Sequence, residues 1–289
     1  MFLNLINKSR ILLSPIDDLR KTDITEHALE ALSRSKVKNV YLVGRRGPLQ
    51  AAYTIKELRE MLKLPKVDTI WRESDFIGVK EQIEKLQRPK KRIAELMVKS
   101  LSEGKSEKQN RKFLPVFFHS PTQINTKSVD FSITKLENDK AIATGETESL
   151  PAQLVCRSIG YKSICVDKSI NFDEKRGRVK NVDGRVLHED TQNPDPGLYV
   201  AGWLATGPSG VILTTMNSSF ATAQTIINDV QSGAIKITSD KPGLDPQNHR
   251  IVSWSDWTKI DQKEVENGKK LNKPREKLFN VEEMLKIVE

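Results

Sequence analysis

With 289 residues, 37% hydrophobic and 29% charged, the chain is long enough for a sizeable core in one or two domains, and no apolar run approaches the ~18 residues a membrane crossing needs. Lysine and arginine outnumber aspartate and glutamate 47 to 38, giving a net charge of +9, a surplus that favours an acidic partner where it is clustered. Two cysteines, Cys156 and Cys165, and four scattered histidines exclude a disulfide scaffold, a CxxC redox pair and a histidine-based zinc site, and no nucleophile elbow occurs.

In chain order, residues 1–15 carry Lys8 and Arg10, serines and leucines, with no acid before Asp17. That composition matches a mitochondrial transit peptide; the other reading makes Arg10–Leu13 the end of a helix. A helix is expected over Thr25–Ser35, with Ala28, Leu29 and Leu32 on one face. Val37–Val43 reads as a strand covered on both faces, as in a parallel sheet. It ends in Gly44-Arg-Arg-Gly-Pro48, and Leu58, Met61 and Leu62 then fall at helical spacing. Strand, basic turn and helix together make half of a βαβ unit.

Arg45 and Arg46 thus sit at the carboxyl end of a strand, where open parallel sheets bind ligands. In the second βα turn of a dinucleotide domain, arginine accommodates the 2′-phosphate of NADP where an acid would hold the NAD ribose. Its planar fork also suits phosphate oxygens. The plainer reading is a solvated basic turn.

The segment 81–112 is charge-rich, with the block Arg88-Pro-Lys-Lys-Arg92 entering a helix that buries Ile93, Leu96 and Met97. Such a run is a solvated face or a docking patch for an acidic partner. Without interleaved aromatics or a binding motif it is a poor fit for nucleic acid. From 113 to 155 the texture turns to short alternating strands (Pro115–His119, Ser128–Thr134, Lys140–Thr144), an expected antiparallel meander. Gln153–Ile159 reads as a buried strand, and 172–186 as turn-rich. Leu198–Ala201 is an expected short buried strand. Glycines 202, 207 and 210 come next, then an apolar helix running to about Val230. The glycines permit positive φ and close approach of a flat ligand, or serve a tight turn alone.

The segment from Val43 to Glu60 (VGRRGPLQAAYTIKELRE), Ser158-Ile-Gly-Tyr-Lys162, the glycine stretch 197–215, Ser253-Trp-Ser-Asp-Trp257 and Lys273-Pro-Arg-Glu-Lys277 resemble, in order, the mitochondrial NADPH:adrenodoxin (ferredoxin) oxidoreductase family. The resemblance runs from about Arg10 to the C-terminus. It implies an α/β, glutathione-reductase-like flavoprotein with two dinucleotide-binding domains. Residues 1–165 would be a partial NADP-binding domain, β-rich over 113–155, and 166–289 the C-terminal part of the FAD-binding domain. By matched position it implies that Arg45, Arg46 and Glu57 contact NADP. Trp203, Gly210, Val211 and Ile212 would contact FAD, and Arg59, Arg88 and Arg92 would dock an acidic [2Fe–2S] ferredoxin. The implied activity carries electrons from NADPH through FAD to that ferredoxin, on the matrix side of mitochondria and peripheral to the inner membrane, in steroid/cytochrome P450 or iron–sulfur electron transport. The cofactors carry the redox chemistry, so no protein acid–base dyad is required. One departure stands out: neither glycine fingerprint of the family is present. The expectation is therefore an N-terminally truncated member lacking the N-terminal FAD-binding segment, and the alternative is a non-catalytic chain that binds ferredoxin without holding FAD.

Overall fold

The computed structural model describes residues 3–104, 109–208, 210, 212–236 and 250–289, with side chains from residue 6. They fall into two compact units, one within 2–158 and 249–289, the other within 159–248.

The first unit opens with α1 (Leu3–Leu13), α2 (Ile16–Leu19) and α3 (Glu26–Ser33). It continues with β1 (Asn39–Val43), α4 (Ile55–Leu62), β2 (Val67–Thr69), α5 (Lys80–Ile83), α6 (Arg88–Ser102) and β3 (Arg111–Val116). The three strands form a parallel sheet in the order β1-β3-β2, with Val43 opposite Val116 and Thr69 opposite Phe113. Parallel neighbours require crossovers, and α4 and α6 supply them. Phe113, Pro115 and Val116 are buried nearly in succession, the pattern of a strand covered on both faces. Pro115–Val116 is therefore the end of the central parallel strand, and the meander expected from Pro115 begins only at His119.

The core of this unit gathers Leu42, Leu58, Met61, Ala94, Met97, Phe113 and Phe117 around Trp71 and Phe76, with Ile6 and Leu13 of α1 joining it. Leu58 and Met61 stand three apart on α4 and are wholly buried, so each removes its side chain from water for about 2 kcal/mol. On α6 the fully buried residue is Met97, with Ala94 beside it; Ile93 and Leu96 pack at the rim. Arg10–Leu13 is indeed the last turn of a helix.

The meander consists of β4 (His119–Ile124), β5 (Ser128–Glu137) and β6 (Lys140–Pro151), an antiparallel sheet in that order. Asn138 and Asp139 turn the β5–β6 hairpin with φ of 50° and 60°, the left-handed pair that matches strand twist in a two-residue loop. Val129, Phe131 and Leu150 pack with Val116, and with Tyr41 and Val43, fastening the meander to the parallel sheet.

The expectation of a buried strand over Gln153–Ile159 fails. The segment has no strand partner among the described residues, and Leu154 and Val155 are exposed. Apolar content alone does not make a strand when no neighbour offers its backbone groups.

The second unit holds β7 (Phe172–Asp173), β8 (Arg178–Val179), β9 (Asn181–Val182), β10 (Arg185–Leu187) and β11 (Pro194–Tyr199), then α7 (Trp203–Thr206) and α8 (Ile212–Gln231). The strand expected over Leu198–Ala201 ends at Tyr199, and of these residues only Val200 is buried. Among the described residues it lies at a sheet edge, paired with β10 alone. The small core is Val179, Val186, Val200 and Ala205. Gly184, at φ +83°, lets α8 approach, because a Cβ there would meet Thr222 at 2.6 Å. Arg185 then grips Asp229 of α8 through two hydrogen bonds of 2.8 and 2.7 Å, and Tyr199 donates to the same carboxylate at 2.6 Å.

Finally α9 (Trp254–Lys270) and α10 (Val281–Val288) return to the first unit. Among the described residues no helix is long and apolar enough to cross a membrane.

Candidate functional site

Three chain segments leave the parallel sheet at its carboxyl edge: Gly44–Gly47 after β1, Ile70–Arg72 after β2 and Phe117–His119 after β3. The first contains the arginine pair. Its backbone is held by the meander: the His119 N–H donates to Gly44 O (3.0 Å), the Thr134 hydroxyl to Arg45 O (2.8 Å) and the Phe118 N–H to Arg46 O (3.3 Å). Gly47 lies against the Phe118 ring, so close that a Cβ would stand 2.5 Å from Cζ. Arg45 is exposed, Arg46 half-buried, and neither guanidinium has an ion-pair partner among the described residues. A pinned main chain carrying two guanidiniums without ion pairs among the described residues has the chemistry to take an anion.

Beside the loop runs a polar network. Arg72 makes a two-pronged contact with Glu148 of β6, at 2.8 and 2.7 Å. The buried His119 ring meets Glu148 through Nε2 at 2.9 Å and Phe117 O through Nδ1 at 2.5 Å. Asp75 accepts from the Phe117 N–H at 2.9 Å. The Arg72 guanidinium, with help from His119, pulls the Glu148 carboxyl down to about 2, whereas burial pushes Asp75 upward. Arg72, His119 and Glu148 escaped the sequence reading. Arg72 was within reach, since it comes after β2 much as the arginine pair comes after β1, but its carboxylate partner lies 76 residues away.

Glu57 is the third residue of α4 and closes a reciprocal cap. Its Oε2 accepts from the Thr54 N–H (2.7 Å) and hydroxyl (2.9 Å), the Thr54 Oγ1 accepts from the Glu57 N–H (3.2 Å), and Oε1 accepts from Asn7 (3.0 Å). Thr54-x-x-Glu57 is the sequence signature of this arrangement.

Arg59 on α4 and Arg88 and Arg92 on α6 are all exposed and free of ion pairs among the described residues. The first turn of α6 has no acidic residue and carries Arg88, Lys90 and Lys91. Cations there oppose the helix dipole; Lys91 is offset by an ion pair with Glu84 at 2.6 Å, whereas Arg88 and Lys90 have no ion pair among the described residues.

In the second unit, Gly202 takes φ +65° just before Trp203, the first residue of α7. Trp203 is half exposed and stacks on Tyr161, ring centroids 6.2 Å apart and 28° from parallel. Gly210 takes φ +84° and Ile212, opening α8, is 88% exposed. Val211 lies outside the described residues. The left-handed Gly202 thus precedes an accessible indole, and the left-handed Gly210 shortly precedes an uncovered isoleucine. Shallow hollows on the first unit, lined by Thr69, Trp71 and Ser100 or by Phe76, Ile77 and Val98, include none of the candidate residues. Among the described residues no group of histidine, cysteine or carboxylate side chains is arranged to hold a metal ion.

No protein-family model matches the chain. Individual proteins do. The mitochondrial NADPH:adrenodoxin oxidoreductase of Drosophila melanogaster is 55% identical over 283 residues, covering 98% of this chain and 61% of that protein. The Homo sapiens protein of the same name is 42% identical over 308 residues, again covering 98% of this chain and 61% of the other. Among solved structures, Mycobacterium tuberculosis FprA in complex with NADPH superposes with a TM-score of 0.83 at 32% identity, covering 98% of this chain and 65% of that one. The chain spans about three-fifths of the length of the curated relatives it matches. Over nearly all of its own length, then, the chain is similar in sequence to the mitochondrial NADPH:adrenodoxin oxidoreductases and in its α/β fold to FprA.

Proposed function

We propose that the chain serves NADPH-dependent electron transfer to an acidic [2Fe–2S] ferredoxin of the adrenodoxin type, with FAD between them. The observation that carries this reading is the Gly44–Gly47 loop: two unpaired arginines at the carboxyl edge of a parallel sheet, on a backbone tied down through three successive carbonyls. In this reading Arg45 and Arg46 hold the 2′-phosphate of NADP, and Glu57 supplies a further contact at the start of α4. Trp203, Gly210, Val211 and Ile212 form one wall of the flavin site. The glycine geometry and the accessible Trp203 and Ile212 fit a flat ring. When bound, FAD supplies the exchange between the two-electron donor and the one-electron acceptor.

The protein's own part is binding and orientation. Arg59, Arg88 and Arg92 present free positive charge to an acidic partner, which speeds encounter and makes it sensitive to salt. By the resemblance, residues 1–165 are assigned to the NADP-binding domain and 166–289 to the C-terminal part of the FAD-binding domain, although 249–289 fall in the same compact unit as 2–158. A mitochondrial location is drawn from the relatives' names, and a place on the matrix side, peripheral to the inner membrane, in steroid/cytochrome P450 or iron–sulfur electron transport belongs to the same proposal. In a second reading the chain binds ferredoxin through the exposed Arg59, Arg88 and Arg92 without retaining FAD.

Purification with added FAD separates the two. The first reading expects a visible flavin band that NADPH bleaches under anaerobic conditions, with the bleaching weakened in Arg45→Ala/Arg46→Ala. A colourless protein that still retards an acidic ferredoxin at low salt supports the second.

A further inference from the structure

Strand β5 does not pair regularly with β6. The register shifts between Ser132 and Thr134, where Ser132 faces Thr147 and Thr134 faces Ala143. Such irregularities re-aim side chains and are enriched beside binding sites. Here the residue re-aimed is Thr134, 7% exposed. Its N–H donates to Phe118 O at 2.7 Å and its hydroxyl to Arg45 O at 2.8 Å. Phe118 in turn donates its N–H to Arg46 O while its ring lies against Gly47.

Phe118 itself has φ +55°, a left-handed conformation that is costly for an aromatic residue and persists only where the surroundings enforce it. Two local anomalies, a register shift and a strained aromatic, therefore converge on the carbonyls of the two arginines. Neither is needed to form a hairpin, and both are explained if the position of that loop is what they secure.

We propose that Thr134 is a positioning residue for nucleotide selectivity: by fixing the Arg45 carbonyl from the meander, it sets where the two guanidiniums point and hence how strongly the protein prefers a 2′-phosphorylated adenosine over one without that phosphate. This rests on the assignment of Arg45 and Arg46 to the 2′-phosphate. Two sheets then build the selectivity jointly. The parallel sheet delivers the arginines, and the antiparallel meander holds their backbone.

The test uses the full chain and two probes, adenosine 2′,5′-bisphosphate and adenosine 5′-monophosphate, with affinities from titration calorimetry. Thr134→Val keeps the shape and removes the donor. It is expected to lower the affinity ratio between the two probes about 5-fold, the worth of roughly one net hydrogen bond, while leaving binding of the monophosphate unchanged. Thr134→Ser restores the donor and is expected to restore the ratio, which a merely structural role would not predict. Gly47→Ala disturbs the loop from the other side, by driving a Cβ into the Phe118 ring, and is expected to lower the ratio as well. It serves as the readout if Thr134→Val does not fold. An unchanged ratio in the foldable variants, alongside its loss in Arg45→Ala/Arg46→Ala, overturns the role of Thr134 and leaves the phosphate assignment standing. No preference in the wild-type chain, or one that survives the double arginine substitution, overturns the assignment itself.

Discussion

The basic segment Lys273-Pro-Arg-Glu-Lys277 shows how a residue's chemistry is decided by the groups it touches. In sequence it is a charged run near the C-terminus. In the structure the Lys273 ammonium is buried, donating to Ile24 O, to Glu26 (3.1 Å) and to Glu276 (2.6 Å). Arg275 reaches Asp261 (2.7 Å) and Glu264 (3.0 Å), and Lys277 reaches Asp23 (2.7 Å). Gly268 admits this segment, because a Cβ there would lie 2.3 Å from the Arg275 Cα. These cations fasten α9 and the segment after it to the start of α3, whereas Arg88 and Arg92 form no ion pair among the described residues. Removing one partner of a buried charge cluster strands the others, so Lys273→Met is expected to cost about 3 kcal/mol in a denaturant titration. Arg88→Ala is expected to change stability by less than about 0.5 kcal/mol. Equal effects would contradict the division between structural and displayed cations. Position in the sequence could not make that division, since the partners of Lys273 lie up to 249 residues away. Local roles were more accessible: Thr54 and Glu57 carry their cap signature within a single helical turn.

Among the elements, β1, α4 and α6 were legible because each repeats one burial rule over several residues, whereas the short β2 and the end of β3 were not read as parallel strands. The arginine turn was legible because it falls between a continuous apolar run and an amphipathic helix. The failures share one cause. Pro115–Val116, Gln153–Ile159 and Leu198–Ala201 are short apolar runs, and only a neighbouring strand decides whether such a run is central, edge or unpaired. The same holds for the clamp between Arg72 at the end of the parallel sheet and Glu148 and His119 on the meander.

That clamp has a pH signature. Glu148 is held at about 2, against 4.5 for an ordinary glutamate. A carboxyl depressed by folding contributes stability that is complete above its unfolded value and is lost as pH falls through its folded value. Asp75, raised by burial, acts in the opposite sense: ionised it opposes folding, and acid relieves that penalty. The chain is therefore expected to lose stability between about 4.5 and 2, and Glu148→Gln to flatten that loss while leaving the Asp75 contribution in place. Identical acid slopes in the two proteins, measured by circular dichroism, would show that the clamp contributes nothing to acid stability.

At the scale of the molecule, both units have buried cores and both leave some apolar side chains uncovered, Ile77 and Trp254 in the first among them. The first buries Leu58, Met61, Met97 and Phe113 almost completely. The second leaves Ile212, Leu213, Met216, Phe220 and Ile227 of α8 exposed, while the buried side of that helix presents Thr222, Thr225 and Asp229. An apolar face on the outside of a helix marks an interaction surface or a liability to self-association. Phe220→Lys is expected to reduce self-association in analytical ultracentrifugation with a stability change under about 0.5 kcal/mol. A destabilisation of several kcal/mol would show that Phe220 belongs to a core.

The central claim is electron transfer from NADPH to an acidic ferredoxin. The most direct measurement is anaerobic reduction of a [2Fe–2S] adrenodoxin-type ferredoxin by this chain with NADPH and added FAD, monitored through the ferredoxin's visible spectrum. The predicted result is reduction that NADH supports poorly, that Arg45→Ala/Arg46→Ala loses, and that slows with rising salt or with Arg88→Glu/Arg92→Glu. Reduction equally fast with NADH and indifferent to all four arginines would contradict it.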